Sequence, residues 1–318
     1  MTLKVAIQMD PLESIDVEAD STFLLGLEAQ ARGYQLYHYL PENLTLNERT
    51  VIAAAQKIKL KNNQGEHFQA QEFEWINLEE VDVVLMRQDP PFDMAYITAT
   101  HILEKICEKT LVVNNPISVR NSPEKIFVTK FPELMPPTII SKNIDILTSF
   151  RAKYKDLIIK PLFGNGGAGV FHIGPNDENF YSLLEFFFAT YREPLIAQRY
   201  EPSVREGDKR IILIDGEPVG ALNRVPPHND SRSNLHIGGR AEKAMLTDRD
   251  KEICKIIGPH LRDLELLFVG IDVIGKVITE INVTSPTCLQ EINRFDSIKL
   301  ETKIWDSIET KLIGEYNS

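Results

Sequence analysis

Cysteine is scarce in this chain. Its 318 residues include three, Cys107, Cys254 and Cys288, which are odd in number and too far apart for a Cys-x-x-Cys pair. That spacing excludes a disulfide framework or zinc knuckle and fits a reducing cytoplasm. Long apolar runs are also missing: none approaches the roughly 18 residues that a membrane helix needs. The first ten residues lack the charged, apolar and small-residue regions of a signal peptide, and residues 4–9 read as a strand. Positive charge is in deficit, with 35 Lys and Arg against 46 Asp and Glu, a net charge of −11. A nucleic-acid binder carries a basic face, so that class is disfavoured. Repeats and low-complexity tracts are absent, as are Gly-x-Ser-x-Gly, His-Glu-x-x-His and a Cys–His nucleophile motif.

What is present alternates strand with helix over the first third. Strands are expected at residues 4–9, 35–40, 81–86 and 110–113. Helices are expected at 21–32, stopped by Gly33, and at 95–109. This order predicts a small parallel sheet with helices on its faces. Residues 115–123 hold two prolines and few large apolar side chains, which places a domain boundary there. Beyond it the pattern turns to hairpins: Asp215-Gly216 lies between two apolar runs, a strong turn signal. Helices return at 248–264, with a bend at Pro259, and at 298–312. The fold class is α/β, with an α+β C-terminal part.

The densest signal is the run from 157 to 173, which carries Lys160 and then Gly164, Gly166, Gly167 and Gly169. Three of these glycines match Gly-x-Gly-x-x-Gly, but the dinucleotide fingerprint needs a helix after the loop. Val-Phe-His-Ile at 170–173 favours a strand instead. A strand–glycine loop–strand unit can fold its backbone N–H groups over phosphates, with Lys160 as a point charge. A surface hairpin is the plainer alternative, although four glycines and a strand-end lysine exceed what a turn requires. Residues 270–277 imitate Walker A up to Val277, where the magnesium-binding hydroxyl would sit, and Lys276 falls in a strand–turn–strand pattern; this is not a phosphate loop.

Residues 268–284 form two strands around Gly275-Lys276. Odd positions Val269, Ile271, Val273, Val277, Ile281 and Val283 are apolar, and even positions include Asp272, Glu280 and Asn282. If the apolar set faces a core, Asp272, Glu280 and Asn282 share the other face. A strict two-residue turn would break that parity, so an odd-length loop or a bulge is expected. Two carboxylates and an amide oxygen suit a hard cation that also binds phosphate. A solvent-facing polar strand is the other possibility. Lys125 follows the boundary, and Arg210, Arg224, Arg232 and Arg240 fall within one stretch. Residues 226–240 lack periodicity, as lids do, and arginine suits carboxylate capture.

At this point the chain resembles prokaryotic glutathione synthetases, of the ATP-grasp superfamily. The resemblance rests on Met-Arg-Gln-Asp-Pro-Pro-Phe-Asp at 86–93, the glycine loop, and Glu-Gly-Asp-Lys-Arg at 206–210. It rests also on Asp-Gly-Glu-Pro at 215–218, Gly-Gly-Arg at 238–240 and Thr-Glu-Ile-Asn-Val-Thr-Ser-Pro-Thr-Cys at 279–288. It implies an N-terminal α/β domain over residues 1–122 and an ATP-grasp fold over 123–318. The latter divides into a central subdomain with the glycine loop (123–195) and a C-terminal subdomain with the metal site (196–318). It implies that Lys125, Lys160 and the loop glycines hold ATP phosphates, with adenine against residues 195–200, including Gln198 and Tyr200. Asp272, Glu280 and Asn282 become ligands of Mg2+ or Mn2+. Arg210 and Arg240 become catalytic cations, and Arg224, Arg232 and Asn234 substrate contacts. Phe163 departs from the family, whose members often carry an acid there.

The implied reaction joins γ-glutamylcysteine and glycine with ATP, through an acyl phosphate, in a cytoplasmic homo-oligomer that is a tetramer in that family. Its partners are small molecules, with no nucleic acid or membrane. Phosphoryl transfer needs positioning and charge neutralisation rather than a nucleophilic side chain. Another ATP-grasp ligase with a different acid or amine is the nearest alternative. A non-catalytic nucleotide module is disfavoured by the intact Asp272, Glu280 and Asn282 set, and a dehydrogenase lacks its helix.

Overall fold

The computed structural model describes residues 2–230 and 232–316. The N-terminal part contains β1 (Lys4–Gln8), α1 (Ser21–Ala31), β2 (Gln35–Tyr39), β3 (Leu44–Asn47), β4 (Thr50–Leu60), β5 (Phe68–Asn77) and β6 (Val83–Met86). It continues with α2 (Met94–Leu103), β7 (Leu111–Val113), α3 (Pro116–Asn121) and α4 (Glu124–Phe127). Strands β2, β1, β6 and β7 pair in parallel, as the sequence pattern predicts. The sheet as a whole is mixed, which corrects the expected parallel sheet. β4 pairs antiparallel with β2 and β3 along one side and with β5 along the other. β5 is therefore an edge strand, and its residues 69–75 are exposed on both faces.

Local chemistry sets the helix starts. Asp20 caps α1 by accepting the Phe23 N–H at 2.6 Å, and Asp93 caps α2 by accepting the Tyr96 N–H at 2.9 Å. Each cap satisfies a donor that the first turn leaves without a partner.

The central subdomain contains β8 (Thr138–Ser141), α5 (Ile144–Tyr154), β9 (Leu157–Pro161), β10 (Phe171–Ile173), α6 (Phe180–Thr190) and β11 (Leu195–Arg199). Its four strands form an antiparallel sheet in the order β10-β9-β11-β8. The C-terminal part holds β12 (Asp208–Ile214), β13 (Glu217–Val225), β14 (Arg240–Lys243), α7 (Asp248–Asp263), β15 (Phe268–Ile274), β16 (Val277–Asn282), α8 (Leu289–Asp296) and α9 (Leu300–Tyr316). Its antiparallel sheet runs β14-β13-β12-β15-β16. A capping box of Thr247 and Asp250 starts α7, which runs through Pro259.

Burial ties these parts together unequally. Two large apolar clusters each contain residues of both the N-terminal sheet and the C-terminal sheet. Ala6, Val84 and Ile271 share one, and Val5, Leu85 and Ile212 share the other. Trp305 of α9 is fully buried and donates its indole N–H to Leu25 O of α1 at 2.9 Å. The central subdomain has its own small core, including Leu147, Ile159, Leu184, Phe187 and Leu195.

Candidate active site

The glycine loop joins β9 to β10, and the two pair antiparallel, with Phe171 opposite Ile159. A strand follows the loop, as the sequence predicts. Gly166, Gly167 and Gly169 have φ of +62°, +78° and +70°, the left-handed region that glycine enters without steric cost. A Cβ at Gly167 would lie 2.7 Å from Asn234 Oδ1 and would displace that side chain. Lys160 lies on β9, flanked by Ile196 of β11, and is buried. Burial pushes its ammonium pKa down, partly offset by Glu280. Lys125, also buried, donates to Gly164 O and so holds the start of the loop.

Below the loop lies a cavity of about 120 Å³, lined by Lys125, Lys160, Gly164, Gln198, Tyr200 and Glu280, among others. Gln198 donates to Thr138 Oγ1 at 2.7 Å. Tyr200 stacks on His172 with ring centroids 4.0 Å apart. A flat wall of this kind suits a planar base, while the lysines at the loop suit phosphates.

The hairpin β15–β16 resolves the parity problem. Its two-residue turn does oppose Ile274 to Val277, and Gly275 takes φ +60° there. A bulge at Thr279 then restores the phase, so Asp272 faces Glu280 and Gly270 faces Asn282. The correction concerns Val277: the fully buried apolar residue beside the turn is Ile278. Lys276 is exposed in the turn and lines neither this cavity nor the larger one next to it.

Protein cations surround both carboxylates. Arg210 holds Asp272 with two bonds, Nε–Oδ1 at 2.5 Å and Nη2–Oδ2 at 3.0 Å, and Arg224 adds Nη2–Oδ2 at 3.0 Å. Burial opposes ionisation of Asp272, yet the two guanidiniums hold its carboxyl well below the usual range. Glu280 is 3.3 Å from Lys160 Nζ and 3.6 Å from Lys125 Nζ. Burial again opposes ionisation, and the lysines hold the carboxyl below its ordinary value. Asn282 donates Nδ2 to Gly270 O at 3.3 Å, which leaves its amide oxygen to act as an acceptor.

A larger cavity of about 570 Å³ adjoins the first and shares Gly166, Asn234, Asp272 and Glu280 with it. Arg210 and Arg224 line it, together with loops of the N-terminal part. Arg232 and Asn234 border the smaller cavity. The Arg232 side chain pairs with Asp230 at 2.7 Å, and its Nη1 lies 3.4 Å from Gly167 O. Ser231, in the middle of the expected lid, lies outside the described residues. Arg240 is not brought to either cavity. It begins the edge strand β14 with its side chain 73% exposed and paired with Glu242.

Sequence reasoning missed Asp208. It lines the smaller cavity, and its Oδ2 accepts from Arg224 at 2.6 Å and from Ser233 Oγ at 2.8 Å. It thus joins a strand of the sheet to the lid segment. Burial raises its pKa despite the nearby Arg224. Glu124 was missed too: it is half-buried and accepts from Thr284 Oγ1 at 2.8 Å. The first contact, with Arg224, pairs opposite residues of the β12–β13 hairpin, beyond the apolar runs that mark its turn, and the second spans 160 residues.

Solved structures of similar shape share this fold. D-cycloserine synthetase matches with a TM-score of 0.69 and 14% identity, over 97% of this chain and 99% of that one. D-alanine–D-alanine ligase from Bacillus anthracis matches at 0.63 and 16%, over 99% of both. The match of residues 124–297 to an ATP-grasp domain makes this fold that of an ATP-grasp ligase. The particular family follows from sequence. Residues 3–120 match the prokaryotic glutathione synthetase N-terminal domain, and residues 124–297 match the ATP-grasp domain of the same family. Glutathione synthetase of Agrobacterium fabrum is 57% identical over 96% of both chains. That of Brucella melitensis is 55% identical over 98% of this chain and all of the relative. That of Pseudomonas putida is 42% identical over 98% and 99%. The chain belongs to the prokaryotic glutathione synthetase family, and it uses ATP.

Proposed function

We propose that the chain joins γ-L-glutamyl-L-cysteine to glycine, with ATP consumed and glutathione, ADP and phosphate released. The observation that carries this reading is the convergence of Lys125, Lys160, Arg210 and Arg224 on one carboxylate pair where two cavities meet. The smaller cavity has the wall and cations for a nucleotide, and the larger has room for a dipeptide.

In this reading the cysteinyl carboxylate attacks the γ-phosphorus of ATP, and ADP leaves. The resulting acyl phosphate is attacked at its carbonyl carbon by the glycine amine, and phosphate leaves as the amide forms. Lys125 and Lys160 offset charge on the phosphates, and Arg210 and Arg224 offset it on the transferred group. Arg232 and Asn234, lying against the glycine loop, help to exclude water from the acyl phosphate.

The residues fit a divalent cation. Among the described residues no three His, Cys, Asp or Glu side chains converge. Asp272, Glu280 and the Asn282 amide would therefore hold it only in part, with phosphate oxygens completing the shell. That is the usual habit of magnesium. When bound, the ion supplies charge neutralisation at the phosphates. Magnesium rather than manganese, a cytoplasmic location and a homo-oligomeric assembly belong to the same proposal. Among the described residues no helix is long and apolar enough to cross a membrane.

The test is ADP release measured with a panel of acids and amines, with hydroxylamine added to trap the acyl phosphate as a hydroxamate. Release that needs γ-glutamylcysteine, with hydroxamate forming when glycine is withheld, supports the reading. A different acid or amine giving the highest kcat/KM would replace it with another ATP-grasp ligation.

A further inference from the structure

Phe163 stands at the root of the glycine loop, in the central subdomain, and keeps 37% of its surface exposed. A single exposed ring needs no explanation, but this one has a partner from another part of the molecule. It stacks on Phe92 with centroids 6.1 Å apart and planes 25° from parallel. Phe92 packs against an apolar cluster shared by the N-terminal and C-terminal sheets. Its ring centroid is 5.2 Å from that of Tyr96, which is fully buried in α2. The row of rings therefore runs from the core of one part of the molecule to the root of a loop in another.

The segment that carries Phe92 also walls the larger cavity, through Arg87, Asp89 and Pro90. Its first end is fixed to β1 and the loop after it. The Arg87 N–H donates to Gln8 O at 2.8 Å, and the Asp89 N–H donates to Asp10 Oδ2 at 2.8 Å. Its far end is fixed by Asp93, the cap of α2. Pro90 and Pro91 lie between, each with φ held by its ring, so the link from the cavity wall to Phe92 is short and stiff. A displacement of the wall is passed on to the Phe92 ring rather than absorbed. On its other side Phe163 borders an apolar recess of about 80 Å³, lined also by Phe187, Phe188 and Tyr191. A ring released from Phe92 has a second apolar place to lie. The root of the loop thus has two settings, and coupling between sites requires an element of that kind.

We infer that the Phe92–Phe163 stack couples the two cavities. Substrate against residues 87–90 steadies Phe92, Phe92 holds Phe163, and Phe163 holds the glycine loop over the phosphates. The inference rests on the proposed function, which puts the dipeptide in the larger cavity and the nucleotide in the smaller. Neither ring lines either of these cavities, so both are positioning residues. The effect is reciprocal by linkage: the factor by which dipeptide tightens nucleotide is the factor by which nucleotide tightens dipeptide.

The test is calorimetry in both directions. The Kd of Mg–AMP-PNP is measured with and without γ-glutamylcysteine, and that of γ-glutamylcysteine with and without Mg–AMP-PNP. In the wild type each ligand should tighten the other by roughly 2- to 10-fold, the range expected from one aromatic pair. Phe163→Ala and Phe92→Ala should each abolish most of this gain. The double variant should lose no more than either, because both changes remove the same contact. Phe163→Tyr keeps a ring and should keep the gain. The affinity of Phe163→Ala for γ-glutamylcysteine alone should equal the wild-type value, which separates loss of coupling from loss of fold. Independent binding of the two ligands in the wild type overturns the inference and leaves the proposed function standing. So does a full gain retained in Phe163→Ala or Phe92→Ala. A wild-type protein that makes no glutathione from γ-glutamylcysteine and glycine overturns both.

Discussion

The central subdomain and the rest of the molecule hold the proposed nucleotide site between them, but they are built differently. The N-terminal and C-terminal sheets share two apolar clusters, so they behave as one packed body. The central subdomain relies on a small core of its own, while Tyr181 and Phe186 of α6 stay exposed. Asp272, Glu280, Arg210 and Arg224 stand on the large body, whereas Lys160 and the glycine loop stand on the small one. Closing the site therefore means moving the part with less buried apolar surface, which is where low-stability motion is expected.

The largest effect that can test this contrast lies in the large body. Asp272→Asn leaves Arg210 buried without its counter-charge and Arg224 with Asp208 alone. Urea unfolding should show a loss of about 3–5 kcal/mol, with all signals of the N-terminal and C-terminal sheets shifting together. The sign with pH follows from the depressed pKa of Asp272. Its stabilisation is present above the ordinary value of 3.8 and is lost as pH falls through the lower folded value. The variant should accordingly show a shallower acid limb. Separate transitions for the two sheets would break the single-body picture.

Leu184→Ala probes the other side. Leu184 is fully buried in the small core, and its truncation should cost about 2–5 kcal/mol locally. Hydrogen exchange should accelerate across residues 138–199 and leave β1 and β15 protected. Acceleration throughout would show that the three sheets unfold as one unit.

A smaller and more specific difference separates two lysines. Lys160→Ala should raise the KM for ATP by roughly 10- to 100-fold, as loss of a charge-assisted phosphate contact would. Lys276→Ala should leave it unchanged, and the reverse ranking in an ATP titration would relocate the phosphate site. The smallest effect is expected at the seam between the two bodies, where Phe163 of the glycine loop stacks on Phe92 with centroids 6.1 Å apart. Phe163→Asp should cost about 0.5–1.5 kcal/mol of loop docking. It should appear as faster amide exchange at residues 164–169 without ATP, and unaltered exchange there would show that the ring contact does not restrain the loop.

Much of this layout is legible in the sequence, and its gaps have physical causes. The glycine loop, Lys160 and the acidic hairpin lie in short, strongly patterned segments, and the parity of Asp272, Glu280 and Asn282 required the bulge that Thr279 supplies. β3, β4 and β5 escaped because β5 is exposed on both faces and β4 carries Ala-Ala-Ala at its centre. Neither gives the clean apolar–polar alternation of a half-buried strand. Where Arg240 would stand was not legible, because residues 226–240 have no period from which facing could be read. Asp208 meets Arg224 across the β12–β13 hairpin, outside the apolar runs that mark its turn, and Glu124 meets Thr284 across 160 residues, which no window along the chain contains.

The contacts of Glu280 with Lys125 and Lys160 have one further implication. The protein's own ammonium groups act as resident counter-ions to a carboxylate that is otherwise poorly hydrated. A metal–nucleotide complex entering under the proposed reading would take over that carboxylate through its cation and offer its phosphates to the two displaced lysines. The event is then an exchange of ionic partners inside the cavity, in which no buried charge stands alone at any stage. Nucleotide without metal would bring phosphates for the lysines but leave Glu280 stranded, so the same arrangement discriminates against metal-free ATP.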